Sequence, residues 1–174
     1  MGRIFGTFGV RGIANEKITP EFALKMGMAF GTLLKREQPD KELWVVVGRD
    51  TRVSGEMLKN ALISGLLSVG INVIDVGIAP TPAIQFACKY FKVDGGAVIT
   101  ASHNPPEYNG IKLLEPNGLG LKKEREAIVE ELFFKEDFYR ARWDEIGQLV
   151  ERDIMRAYID AIKAKVDVEA IRKR

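Results

Sequence analysis

The chain has a single cysteine, Cys88, in 174 residues, so no internal disulfide framework can form. Its setting, Ile84-Gln85-Phe86-Ala87-Cys88-Lys89-Tyr90, reads as a buried helix face rather than the surroundings of a nucleophile. Charge of one sign is also scarce. The 26 basic and 24 acidic side chains leave a formal net charge of +2, spread along the chain, which provides no electrostatic footprint for nucleic acid. Long apolar runs are missing. The most apolar stretch, Ala61 to Ile74, is broken by Ser64, Gly65, Ser68, Gly70 and Asn72 and cannot serve as a membrane span. No charged segment followed by an apolar one opens the chain as a secretion signal would, and Gly6 stands where a myristoylation signal needs Ser or Thr. These absences point to a soluble, cytoplasmic protein. There is no Gly-x-Ser-x-Gly elbow, and the only histidine, His103, is adjacent to the serine it would have to serve, which argues against a Ser-His-Asp hydrolase. Charged residues are many (29%) while Gln and Cys are few, a composition that leans towards thermophilic proteins.

What is present is enough apolar material, 46% of residues, for the core of one sizeable domain. Ile4 to Ile13 is an extended segment punctuated by glycines. Thr19 before Pro20 is a favoured helix start, and Phe22, Met26, Phe30 and Leu33 follow at helical spacing up to about Arg36. The run from Leu43 to Gly48 reads as a strand buried on both faces. Ser54 is the expected cap of the next helix, which Gly70 ends. Ile71 to Val76 is a strand, Thr81-Pro82 opens another helix, and Gly96 to Thr100 is a third buried strand. This alternation predicts stacked right-handed crossover units. A shorter strand, Ile111 to Leu114, and a charged helix from about Lys122 to Phe133 come next. The segment Phe138 to Val150 reads as irregular, Asp153 to Val166 as an amphipathic helix, and Val166 to Arg174 as a charged tail with no further strand.

In an open α/β sheet, ligands bind beyond the carboxyl ends of the strands. Two strand ends carry polar clusters: Gly48-Arg49-Asp50-Thr51-Arg52-Val53-Ser54-Gly55 and Thr100-Ala101-Ser102-His103-Asn104-Pro105-Pro106. A third cluster, Gly6 to Gly12, has neither the Gly-x-Gly-x-x-Gly spacing of a dinucleotide site nor the lysine of a P-loop. Ser102 therefore has two readings. It is either a turn residue, or a hydroxyl held in place by a loop that Pro105-Pro106 stiffens. The second would suit phosphoryl transfer, which needs a positioned oxygen and nearby positive charge, with Arg11, Arg49, Arg52 and Lys112 as candidates for the charge. The Arg49-Asp50-Thr51-Arg52 stretch, taken alone, reads rather as an ordinary salt-bridged loop ahead of a helix.

Four segments, in order, resemble one family. Phe5-Gly6-Thr7-Phe8-Gly9-Val10-Arg11-Gly12, Gly48 to Gly55, Thr100 to Pro105 and Tyr108-Asn109-Gly110-Ile111-Lys112 are similar to the α-D-phosphohexomutases, which include phosphoglucomutases, phosphomannomutases and phosphoglucosamine mutases. The resemblance implies a three-layer α/β/α sandwich with a mixed, mainly parallel sheet, and a chain that exchanges phosphate between the 1- and 6-positions of a hexose phosphate through a hexose 1,6-bisphosphate. It implies that Ser102 carries the phosphate, that Lys112 and Arg11 stabilise charge and assist proton transfer, and that His103 and Asn104 shape the serine loop. Arg49 and Asp50 would support the loop. Mg²⁺ is implied as cofactor, bound through the phosphate on Ser102 and through aspartates of a second domain; such an ion takes about six hard oxygens. No Asp-x-Asp-x-Asp motif occurs in this chain.

The expected organisation is a phosphoserine domain over residues 1–150 and a C-terminal helix and linker over residues 151–174, leading to an absent second domain. On this reading the chain is a fragment of a four-domain enzyme, inactive alone, whose partners are the sugar phosphate and the missing domains two to four. An uncovered apolar face would favour self-association. Nucleic acid and membrane are not expected partners. Within the family a phosphomannomutase or phosphoglucomutase is the first expectation and a phosphoglucosamine mutase the second. Outside it stand a non-catalytic α/β module and a nucleotide-binding domain, the latter without its glycine fingerprint.

Overall fold

The computed structural model describes residues 4–6 and 9–172, with only the backbone of Glu169. Thr7 and Phe8 of the N-terminal cluster, the Met1-Gly2 start and the last two residues lie outside the described residues. The elements are β1 (Val10–Ile13), α1 (Pro20–Glu37), β2 (Trp44–Arg49), α2 (Gly55–Ser68), β3 (Asn72–Ile78), α3 (Thr81–Phe91), β4 (Gly95–Ile99), β5 (Tyr108–Leu114), α4 (Lys123–Lys135), β6 (Leu149–Glu151), α5 (Met155–Lys163) and α6 (Val168–Arg172).

The strands form one sheet in the order β1-β5-β4-β2-β3-β6. β2, β3, β4 and β6 pair in parallel, and β5 runs against both β4 and β1. The sheet is therefore mixed and mainly parallel, as expected. Its strands alternate side chains between two cores. Val45, Val47, Ala97, Ile99, Ile111 and Leu113 face the first, which Met26, Phe30 and Leu33 of α1, Leu58, Leu62 and Leu66 of α2, and Val129 and Leu132 of α4 complete. Val46, Val98 and Leu114 face the second, closed by Ala83, Ile84, Ala87 and Cys88 of α3 and by Ile154 before α5. Two helical layers thus cover both faces of the sheet, which is why its central strands read as unbroken apolar runs.

The start of α1 follows its sequence signal: Thr19 Oγ1 accepts from the Phe22 N–H at 3.1 Å, and Pro20 takes the first helical position. Ser54 does not cap α2. Its backbone is already helical and its hydroxyl makes no cap bond; it accepts instead from Asn109 Nδ2 at 2.9 Å, a tertiary partner 55 residues away. The fourth long strand begins at Tyr108, before the expected Ile111. Asn109-Gly110 pairs with Arg11 and Gly12 of β1, because a glycine at 110 lets the strands close: a Cβ there would lie 2.3 Å from the Val10 carbonyl oxygen. The segment expected to be irregular ends in β6, three residues too short to show periodicity. It is fixed by its neighbours, with Asn72 Oδ1 accepting from the Gln148 N–H at 2.8 Å. The charged tail contains the short helix α6. No described helix is long and apolar enough to cross a membrane.

Candidate active site

The strand order reverses at β2. Its connection through α2 leads to β3 on one side, while β4 lies against its other edge. Such a reversal opens a crevice beyond the carboxyl ends of the two strands. The loops that line it are the two polar clusters read from the sequence. The Asp50 N–H donates to the Ile99 carbonyl at 3.0 Å, carrying the β2–β4 pairing one step past the strands.

Asp50 then holds the two loops together. Its Oδ2 accepts from Thr100 Oγ1 at 2.7 Å and from Arg52 Nε at 3.2 Å, and its Oδ1 accepts from the Arg52 N–H at 3.0 Å. Thr100 Oγ1 in turn accepts from the Ser102 N–H at 2.9 Å. Ser102 sits in the left-handed region, φ 60°, which costs a non-glycine residue about 1–3 kcal/mol and persists only where the surroundings over-determine it. Two consecutive turns shape the loop: the Asn104 N–H closes on the Ala101 carbonyl at 3.2 Å, and the Tyr108 N–H on the Pro105 carbonyl at 3.1 Å. The Ser102 side chain is exposed at the mouth of an open concavity of about 550 Å³, lined by Asp50, Thr51, Arg52, Val53, Asn104 and Pro106 as well.

Arg11 approaches from β1. Its Nη1 donates to Asn104 Oδ1 at 3.0 Å, so it touches the serine loop directly. Lys112 lies on β5, two residues beyond Gly110, the partner of Arg11, and so stands diagonally from Arg11 on the same face of the sheet. It is 7% exposed. Burial pushes its ammonium below the ordinary lysine range, the Arg11 charge adds to this, and the Asp50 carboxylate pulls the other way. His103 is exposed, with Nδ1 3.5 Å from Ser102 Oγ, a contact too long for a strong hydrogen bond. Arg49 points away from Ser102: Nε donates to Glu56 at 2.9 Å and Nη1 to the Asp50 carbonyl at 3.1 Å.

The fold therefore brings together Ser102, Arg11, Asn104, Asp50 and, across the sheet, Lys112. It places Arg49 behind the loop. Two participants had no role assigned from the sequence, and a third had a different one. Thr100 links Asp50 to Ser102, and Asn109 clamps Ser54. Arg52, expected only as a source of charge, is wrapped by the serine loop itself. No signal along the chain could reveal the bonds of Thr100 to Asp50, Asn109 to Ser54 and Arg52 to the loop, because about 50 residues separate the partners.

Among the described residues no group of three or more His, Cys, Asp or Glu could hold a metal ion. Both Asp50 oxygens are engaged by Arg52 and Thr100. The described residues thus do not make a magnesium site by themselves. A second concavity, about 390 Å³ between Lys59, Asp75, Glu151, Arg152 and Asp153, is an ion-paired surface without a nucleophile. Cys88 is fully buried, and burial pushes its thiol up to about 12, consistent with a packing role.

Comparison with known proteins accords with this geometry. A phosphoglucomutase/phosphomannomutase of Thermococcus kodakarensis is 79% identical over 174 residues, covering all of this chain and 38% of that protein. A phosphoglucosamine/phosphogalactosamine mutase of Sulfurisphaera tokodaii is 45% identical over 176 aligned residues, again 38% of its length. A crystal structure of a phosphoglucomutase/phosphomannomutase family protein from Burkholderia thailandensis superimposes with a TM-score of 0.83 at 29% identity, over 95% of this chain and 36% of that one. The chain thus spans little more than a third of the length of these relatives. Residues 2–140 match the family profile described as phosphoglucomutase/phosphomannomutase, alpha/beta/alpha domain I. The chain belongs to the phosphoglucomutase/phosphomannomutase family, as its α/β/α domain I.

Proposed function

We propose that this domain carries the phosphoserine of a hexose-phosphate mutase, with Ser102 as phosphate donor and acceptor. The observation that carries the reading is the exposed Ser102 hydroxyl, held in a left-handed turn at the sheet crevice, with Arg11 tied to its loop and Lys112 on the same sheet face as Arg11. In the forward step a sugar hydroxyl oxygen bonds to the phosphorus on Ser102, and the bond from phosphorus to Oγ breaks. The hydroxyl proton is released, and Oγ takes up one proton. The resulting hexose 1,6-bisphosphate then returns its other phosphate to Oγ by the reverse exchange, leaving the isomeric monophosphate.

The chain's own groups suit these tasks. Arg11 supplies fixed positive charge, steered by Asn104. Lys112 gives up its proton more readily than an exposed lysine, which suits it to accept and return protons during the exchange. His103 shapes the surroundings of Oγ, and Asp50 and Arg49 brace the loop. Magnesium belongs to the same proposal: the phosphate on Ser102 would provide one ligand and carboxylates from outside this chain would provide others, and no step is assigned to it here. The relatives' names differ in the sugar although this domain aligns along its whole length with both. That supports a domain that supplies the phosphate chemistry, while the choice between glucose, mannose and hexosamine phosphates is made outside it.

The test uses protein made from the complete reading frame that encodes this chain. Phosphopeptide mass spectrometry should find phosphate on Ser102, and Ser102→Ala should abolish conversion of hexose 1-phosphate. The 174-residue chain alone should have negligible activity. Turnover by this chain at the ~1–10³ s⁻¹ usual for enzymes would refute the dependence on further domains.

A further inference from the structure

We infer that Arg52 is a positioning residue for phosphoryl transfer, one that aims Ser102 by binding its loop and has no hydrogen-bond donor left for the phosphate. The inference rests on the reading of Ser102 as phosphate carrier. A guanidinium has five N–H donors in a rigid fork. Here all five are taken. Nε donates to Asp50 Oδ2 at 3.2 Å, Nη1 to the Pro105 and Tyr108 carbonyls at 2.6 and 3.0 Å, and Nη2 to the Ser102 and Asn104 carbonyls at 3.0 and 2.7 Å. The side chain is 12% exposed.

The four carbonyls come from both turns of the loop, and one of them belongs to Ser102 itself. Two backbone hydrogen bonds close those turns, and one of them spans Ser102. Thr100 Oγ1 holds the N–H of Ser102 and Arg52 holds its carbonyl, so both peptide groups flanking its left-handed Cα are pinned. Asp50 anchors the two pins at once, through Thr100 and through Nε of Arg52. A lysine would keep the charge but offers three donors from one point and no fork. A charge-supplying role and a positioning role therefore give opposite expectations for Arg52→Lys.

The experiment measures kcat and KM for wild type, Arg52→Lys, Arg52→Gln, Arg52→Ala and Ser102→Ala in protein from the complete reading frame, below the melting temperature of each. Positioning predicts that Lys and Gln lower kcat alike, by about 100-fold, the scale of a misplacement of about 1 Å, with KM within threefold of wild type. It also predicts that millimolar guanidinium restores part of the activity of Arg52→Ala while ammonium does not. If a lysine or glutamine variant fails to fold, Asp50→Ala, which removes the acceptor of Nε, should lower kcat with KM unchanged. Arg52→Lys with more than half the wild-type kcat overturns the inference, as does rescue by ammonium equal to that by guanidinium. An active Ser102→Ala would instead sink the proposed function, so the two failures are distinguishable.

Discussion

Helices α1 and α2 cross through two glycines, which makes a sharp prediction about Gly27→Ala and Gly65→Ala. A Cβ at Gly27 would lie 2.3 Å from the Leu62 carbonyl oxygen, and one at Gly65 2.2 Å from the Leu24 carbonyl oxygen. These distances are 0.7 and 0.8 Å inside the 3.0 Å limit that real Cβ contacts essentially never cross, and the obstacle is helix backbone rather than a flexible side chain. The helices must therefore separate. A gap of about 0.5–1 Å forfeits a quarter to a half of each dispersion contact across it. Overpacking of this kind costs about 1–3 kcal/mol. Replacing glycine by alanine inside a helix returns about 0.5–1 kcal/mol. Each substitution should thus destabilise by about 1 kcal/mol and by no more than about 2.5 kcal/mol, lowering Tm by about 2–4 °C for each kcal/mol in a domain of this size. Both methyl groups need the same separation, so the double variant should cost clearly less than the sum. Thermal and urea denaturation of the four proteins measure this. A rise in Tm for either alanine, or additivity of the pair to within about 0.5 kcal/mol, would refute the reasoning.

Lys59 is buried against Asp75 at 2.6 Å, and Glu56 lies 3.2 Å from its ammonium. Burial opposes its charge, but the two carboxylates more than offset this and hold its pKa above the ordinary 10.5. Its stabilisation is complete below that value and is lost as pH rises through the raised folded pKa, so chemical denaturation should show stability falling only in strongly alkaline solution. Lys59→Met leaves Asp75 buried and uncompensated and should cost about 3–5 kcal/mol at neutral pH; Asp75→Asn in the same protein should recover part of it. Lys112 has the opposite sign. Its folded pKa is depressed, so its charged form costs stability at neutral pH, and the cost is relieved as pH rises from the folded pKa towards 10.5. Over that alkaline range the stability of wild type should rise relative to Lys112→Met; no such relative rise would contradict the assignment. Cys88, its thiol pushed up to about 12, should resist thiol reagents in the native protein at pH 8 and react at once in denaturant.

Much of the architecture was legible along the chain because its signals are local. Thr19-Pro20 starts a helix by chemistry within three residues, and the Leu43 to Gly48 run reads as a two-sided strand because both faces are covered. β6 was not legible: three residues at the sheet edge gain their pairing from β3 and from Asn72, not from their own pattern. Ser54 shows the limit from the other side. Its position matches a cap, yet Asn109 competes for its hydroxyl, and no local rule carries that information.

The order of the polar clusters, their place after buried strands, and Ser102 as the candidate hydroxyl were all determined by the sequence itself, through strand periodicity and the resemblance that four ordered segments carry. What only the tertiary structure decided is the division of labour among the arginines. Arg11, Arg49 and Arg52 are interchangeable as charges on paper. In the fold Arg11 meets the serine loop at Asn104, Arg49 turns back to Glu56, and Arg52 gives all its donors to the loop and Asp50. The reason is geometric. Hydrogen-bond direction depends on where carbonyls about 50 residues away come to rest, and that is set by the pairing of β2 with β4.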